Sequence, residues 1–406
     1  MAAREFFRVN TGPQDGSLFS MGYANSMFRH EPHHTFSDRV REPIEIVVEN
    51  PGFNVEKTIE VEKLGSMAED HEVEFDLSAI TPGLGATFFR FVNWLGYRLI
   101  SEYSLRYAGN QIVTHFPEKL YIEHKLKHSS ETQAVMDSLV AGNLTIAQRN
   151  ALALGTQRIR VPLPTPWRYL RGHSLLIAAL SNKMRHSIKI PTLASLIQTD
   201  AAGATATMNR MAMHVEIIHA TGPERAETTA ITLRPTGMNY LFADNRYHRQ
   251  ELIPAGTTVA NIKLTNFDSP SWLVAAFLQQ QTLVDDPNNQ FLDIDPTYLN
   301  LIDTYQIRGG SSDLLKPTRA STGLQYLHKK FFPGIPFNHG LLLAPLSEYP
   351  NIDNCASGSY NFANISNPQF IITFFAPLAN PMYIWITSFD HNWTNHQGGD
   401  YQKIWH

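Results

Sequence analysis

Apolar residues in this chain recur at every second position wherever the sequence is regular, and that period dictates strands with one buried and one wet face. In Glu72 to Leu77, Val73, Phe75 and Leu77 fall on one side, with Glu74 and Asp76 on the other. Thr58 to Leu64 repeats the pattern, with Ile59 and Val61 set against Glu60 and Glu62, and Ile44 to Glu49 follows it less cleanly. A half-wet strand must lay its apolar face on another layer, so sheet packed on sheet is expected. A hairpin is predicted over Tyr103 to His115, because Ala108-Gly109-Asn110 separates two β-rich runs and supplies residues that tolerate positive φ. Further strands are predicted at His214 to His219, Ala230 to Leu233, Val259 to Leu264 and Trp272 to Leu278.

Ser129 to Leu154 breaks the rule. There Val135, Leu139, Ile146 and Leu152 follow helical spacing, and Gly142 with Asn143 divides the stretch into two short helices, an insertion in a long loop over the sandwich. Asn354 to Phe389 contains no Asp, Glu, Lys or Arg, but Pro368, Pro377 and Pro381 cut it far below the roughly 20 apolar residues of a membrane-crossing helix. It reads instead as two buried strands, Phe370 to Phe375 and Met382 to Phe389. At 406 residues the chain holds two or three folding units. A seam is placed at Thr221 to Arg225, with one β-sandwich on each side.

Composition narrows the function. A net charge of -4 argues against a protein built to grip phosphate backbones, so no sequence-specific nucleic-acid binding is expected. The single cysteine, Cys355, excludes an intrachain disulfide and lies in a polar turn without a basic neighbour, a poor nucleophile. Gly83-Leu84-Gly85 lacks the third glycine of a nucleotide fingerprint and reads as a turn, and no Gly-x-Ser-x-Gly elbow occurs. His30, His33 and His34 cluster without a Cys-x-x-Cys or His-Glu-x-x-His frame, and they and His391 and His396 read as solvent-facing or interface histidines rather than zinc ligands. Were the first three at subunit contacts, acid would loosen those contacts. Asp285, Asp286, Asp293 and Asp295 sit among turn formers in a surface loop rather than an acid-base site. Asn143, Asn364 and Asn392 match the glycosylation pattern by chance if, as the opening MAAREFFRVNTG suggests by its lack of an apolar run, the protein stays where it is made and is not secreted. No catalytic residue, metal ligand or cofactor-binding residue is therefore expected, and the chain is not expected to be an enzyme. A cupin would need a His-x-His metal set that is missing.

Several stretches in order resemble the double jelly-roll major capsid proteins of nucleocytoplasmic large DNA viruses and related tailless icosahedral DNA viruses. They are Asn25 to Val40, Gly96 to Leu126, Arg160 to Leu180 with Trp167 and Arg171, Met213 to Thr228, Ile262 to Gln279, and Gly340 to Asn367. The last departs at Asn361-Phe362-Ala363-Asn364, where the family favours serine, arginine and aspartate, and the chain is shorter than many members.

The resemblance implies an all-β fold of two tandem eight-stranded antiparallel jelly rolls with short helices in loops. It implies an N-terminal arm at 1–25, a first jelly roll at 26–222, and a second jelly roll with a C-terminal tail at 223–406. It further implies homotrimers forming pseudo-hexagonal capsomers that tile a shell around a DNA genome. The partners implied are neighbouring capsomers, penton and minor capsid proteins, and an internal membrane. Both chain ends, Met1 to Asp15 and Asn395 to His406, are expected to reach beyond the sandwiches. The competing function is a β-sandwich receptor- or carbohydrate-binding virion protein.

Overall fold

The computed structural model describes residues 39–127, 130–168, 174–220, 226, 229–230, 232–244, 247–282, 300–310, 312–322, 341–350 and 357–404. The first half contributes β1 (Arg39–Val47), β2 (Val55–Val61), β3 (Met67–Leu77), β4 (Phe89–Phe91), β5 (Glu102–Tyr107), β6 (Asn110–His115), β7 (Gln157–Leu163), β8 (Met184–Ile190), β9 (Ile197–Thr199) and β10 (Met208–Ala220). Eight of these form two four-stranded sheets, in the orders β1-β10-β3-β7 and β2-β8-β5-β6, while β4 pairs only with β9. Every pairing is antiparallel.

The second half repeats the plan. Its strands are β11 (Met238–Asp244), β12 (Tyr247–Ile253), β13 (Val259–Lys263), β14 (Pro270–Gln280), β15 (Ile302–Gly309), β16 (Ser312–Arg319), β17 (Leu342–Pro345), β18 (Tyr360–Asn361), β19 (Pro368–Phe374), β20 (Met382–Gln397) and β21 (Asp400–Lys403). They order as β11-β20-β14-β17, with β12, β18 and β21 added at its margins, and as β13-β19-β15-β16. Each sheet interleaves the start and end of its half, so neither sandwich closes until both are present. This is the strand order of a jelly roll, found twice.

Local chemistry explains the elements. On β3, His71, Val73, Phe75 and Leu77 point into the core. Glu74, on the opposite face, is buried beneath Arg160 (2.7 Å) and Arg210 (2.6 Å), with Arg158 at 3.6 Å, so the wet face of this sheet carries a cross-strand charge ladder. The predicted hairpin forms as β5–β6, its turn set by Ala108 and Gly109 at φ 49° and 88°. Between β6 and β7 lie α2 (Pro117–Lys127), α3 (Ser130–Leu139) and α4 (Ile146–Ala153), after a single-turn α1 (Leu95–Arg98). The break between α3 and α4 falls at Gly142-Asn143, as expected, because a Cβ on Gly142 would sit 2.3 Å from the Trp94 ring and Asn143 takes φ 53°. Thr145 and Gln148 then form a capping box that starts α4.

Two expectations are corrected. In the stretch expected as a strand, Ala230 and Thr232 are helical and Leu233 is in a turn: the Leu233 amide donates to the Thr229 carbonyl at 3.1 Å, and Thr232 Oγ1 donates to the same carbonyl at 2.8 Å. Its β-branched residues are shared by strands and short buried helices, and periodicity over four residues does not separate them. Nor does the segment from Asn395 reach away from the body. β20 runs on to Gln397, turns through Gly398 and Gly399, and returns as β21, with His396 and Tyr401 fully buried.

The two cores meet. Val274, Ala276, Leu278, Ile384 and Ile386 face the interior of the second sandwich. Leu273, Ala275, Phe277, Trp385 and Phe389, on the other face of the same strands, join a cluster that runs through Tyr240 and Tyr401 into the first sandwich.

Candidate functional site

The best-built feature outside the cores is the joint between the sandwiches. The tip of the β20–β21 hairpin inserts into the first half, where the Gly399 carbonyl accepts from Tyr107 Oη and from the Ser181 amide, both at 2.6 Å. Tyr107 Oη in turn accepts from the Asn182 amide at 3.0 Å. Gly399 sits at φ +88°, and a Cβ there would lie 2.5 Å from Ser181 Oγ and 3.0 Å from the Ala179 carbonyl, so the close approach requires glycine. Behind the tip, the Tyr401 ring packs at 6.2–6.3 Å against Tyr107, Trp167 and Tyr240. Tyr240 Oη donates to the Ser174 carbonyl at 3.2 Å, and Trp167 Nε1 to the Glu69 carbonyl at 2.9 Å. Lys403 pairs with Asp244 at the far end of the hairpin. Burial raises the Tyr401 phenol well above its ordinary range and lowers His396 to about 4, so both are neutral at pH 7. The joint is thus a dry, uncharged socket.

A second polar cluster crosses the first sandwich. His71 Nδ1 of β3 lies 3.0 Å from His186 Nε2 of β8, and His186 Nδ1 lies 3.0 Å from Tyr103 Oη of β5. Both imidazoles are buried. Trp167 presents its ring to the far edge of His71.

Among the described residues, the candidates singled out in the sequence are not brought together. His30, His33, His34, Cys355, Asp285, Asp286, Asp293, Asp295, the arm Met1 to Asp15 and the seam Thr221 to Arg225 lie outside the described residues. Gly83 to Gly85 forms a turn with Leu84 fully exposed. Asn392 is buried, with its Nδ2 donating to Asp244 Oδ2 at 3.2 Å, which closes that glycosylation pattern to an enzyme. His391 is half-buried beside Trp272, whereas His396 is in the joint, so neither is the solvent-facing histidine expected. Among the described residues, no group of three or more His, Cys, Asp or Glu is arranged to hold a metal ion, and no helix is long and apolar enough to cross a membrane. The buried His71–His186 pair was missed. Its one sequence signal is phase, since each imidazole falls in step with apolar neighbours on an alternating strand, Val73 and Phe75 in one case, Met184 and Ile188 in the other.

No family model and no curated protein matches the sequence. Solved structures do. PBCV-1 VP54, as fitted into a reconstruction of the virophage Sputnik, superposes with a TM-score of 0.72 at 16% identity, over 91% of this chain and 98% of that one. A chain of the PBCV-1 virus capsid gives 0.71 at 17% identity, over 91% and 98%. The Faustovirus major capsid protein gives 0.71 at 10% identity, over 95% of this chain and 94% of that one. The fold is a double jelly roll. As a double jelly roll it spans nearly the whole of each of these structures.

Proposed function

We propose that the chain is a major capsid protein, acting by geometry rather than catalysis. In this reading residues 26–222 and 223–406 are its two jelly rolls, with an arm at 1–25. Three copies place six similar sandwiches around one axis, and the resulting pseudo-hexagonal capsomers tile an icosahedral shell around a DNA genome. Neighbouring capsomers, penton and minor capsid proteins and an internal membrane are its partners, and the virion is its location, after assembly inside the host cell.

The observation that carries the proposal is the repetition of one eight-strand order in both halves, joined through the buried socket around Gly399. A binding module needs one sandwich and a free loop face. Two equivalent sandwiches held rigidly side by side are what a lateral tile needs, and the likeness to capsid chains over at least 91% of this one supports the same use. Native mass spectrometry and negative-stain imaging of the purified chain test it. A particle of three chains with a hexagonal outline is expected; a monomer at micromolar concentration that binds sugars would favour the receptor-binding alternative and overturn this one.

A further inference from the structure

The first sandwich holds a titratable crosslink at a place where the second has none. Strand pairing makes the two halves comparable position by position. His186 stands between Ile59 and Leu105, and Phe370 stands between Ile262 and Ile307 at the corresponding place. Likewise Tyr103 faces Ile188 where Tyr305 faces Ile372. Tyr103 stacks on His186 at 5.8 Å, as Tyr305 does on Phe370 at 6.2 Å. The packing is shared and the chemistry is not.

The imidazole pair joins β3 of one sheet to β8 of the other through a single N–H···N hydrogen bond. One proton lies between the two nitrogens, and the outer His71 Nε2 has no hydrogen-bond partner; a first added proton therefore puts an uncompensated charge in the buried core, and a second sets N–H against N–H. The ionisable groups around the pair offer no counter-charge. Tyr103 from β5 and Tyr401 behind Trp167 are neutral phenols held so by burial. His115 from β6 lies beyond Tyr103, its ring 5.7 Å away, and accepts from Lys119 Nζ of α2 at 2.8 Å. Glu69, two residues along β3, is turned to Ser174 Oγ at 2.9 Å and to Arg41 at 3.3 Å.

We propose that His71 and His186 form an acid-operated fastener of the first sandwich: neutral, they tie its two sheets together; protonated, they release them while the second sandwich stays closed. The direction follows from linkage. An imidazole in an open chain takes its proton near pH 6.5, whereas burial holds His71 at about 3 and His186 well below its ordinary value. The open form therefore binds protons that the closed form refuses, so stability is full above about pH 7 and falls as pH drops toward 3. Two such groups raise the opening constant by up to about 100-fold per pH unit in that window. This holds whether or not the chain builds a shell.

Hydrogen exchange on the full chain between pH 7.5 and 4.5, corrected for intrinsic rates, tests the idea. Protection in β3, β5 and β8 should fall first and with a slope above one decade per pH unit, while β13, β15 and β19 lag. Simultaneous loss in both halves, earlier loss in the second, or a slope below one decade overturns it. The double variant H71L/H186F, which copies the second sandwich's phenylalanine, should lose most of that pH dependence in the first half; an unchanged slope in the folded variant refutes the proposal. If the variant does not fold, the wild-type exchange profile decides alone.

Discussion

The two sandwiches share a strand order but are held shut differently. In the second, Tyr305 Oη donates 2.8 Å across the core to the Leu343 carbonyl, a bond between groups that stay uncharged at any ordinary pH, amid an otherwise aliphatic and phenylalanine core. In the first, the equivalent Tyr103 reaches the opposite sheet only through two imidazoles. One topology thus accepts both an inert tie and a titratable one, and the difference rests on His186, where the second sandwich has Phe370, together with His71 across the core from it.

The comparison can be broken by moving the chemistry. Phe370→His places an imidazole beside Tyr305 without a His71 to complete the link, losing buried apolar surface and stranding a polar edge. A loss of about 2–4 kcal/mol at pH 7.5 is expected, larger at pH 5, read from urea midpoints. A smaller effect sharpens it. Tyr103→Phe leaves a buried His186 nitrogen without its partner and should cost about 1–3 kcal/mol, whereas Tyr305→Phe frees only a backbone carbonyl and should cost about 1 kcal/mol; equal losses would erase the distinction drawn between the two ties. The smallest concerns the joint. Gly109→Ala meets nothing within 4 Å and should cost about 1 kcal/mol of left-handed strain, while Gly399→Ala adds a collision with Ser181 and Ala179. For the second variant, calorimetry should resolve two transitions in place of one as the sandwiches uncouple.

Much of the first sandwich is legible in the sequence because its outer face is charged. Glu72, Glu74 and Asp76 alternate with core residues, and the arginines of β7 and β10 that meet them make the period plain. The hairpin at Ala108-Gly109 announces itself by turn chemistry. β14 and β20 are harder to read, since both of their faces are buried and alternation disappears, which left the 16-residue length of β20 underestimated and its last turn mistaken for a tail. The histidines show the same limit from another side. His30, His33 and His34 draw notice by adjacency in sequence, whereas the described residues bring together His71 and His186, 115 positions apart. Only the packing of β3's sheet against the sheet of β5 and β8 brings them together, and no local pattern encodes that.

The bond from Tyr107 to the Gly399 carbonyl spans 292 positions of the chain. During synthesis the first barrel's strands are all made long before residue 399, so this tie between the two barrels forms only after the β20–β21 hairpin has followed them. A product truncated before Gly398 would carry a finished first barrel that lacks this tie to its neighbour.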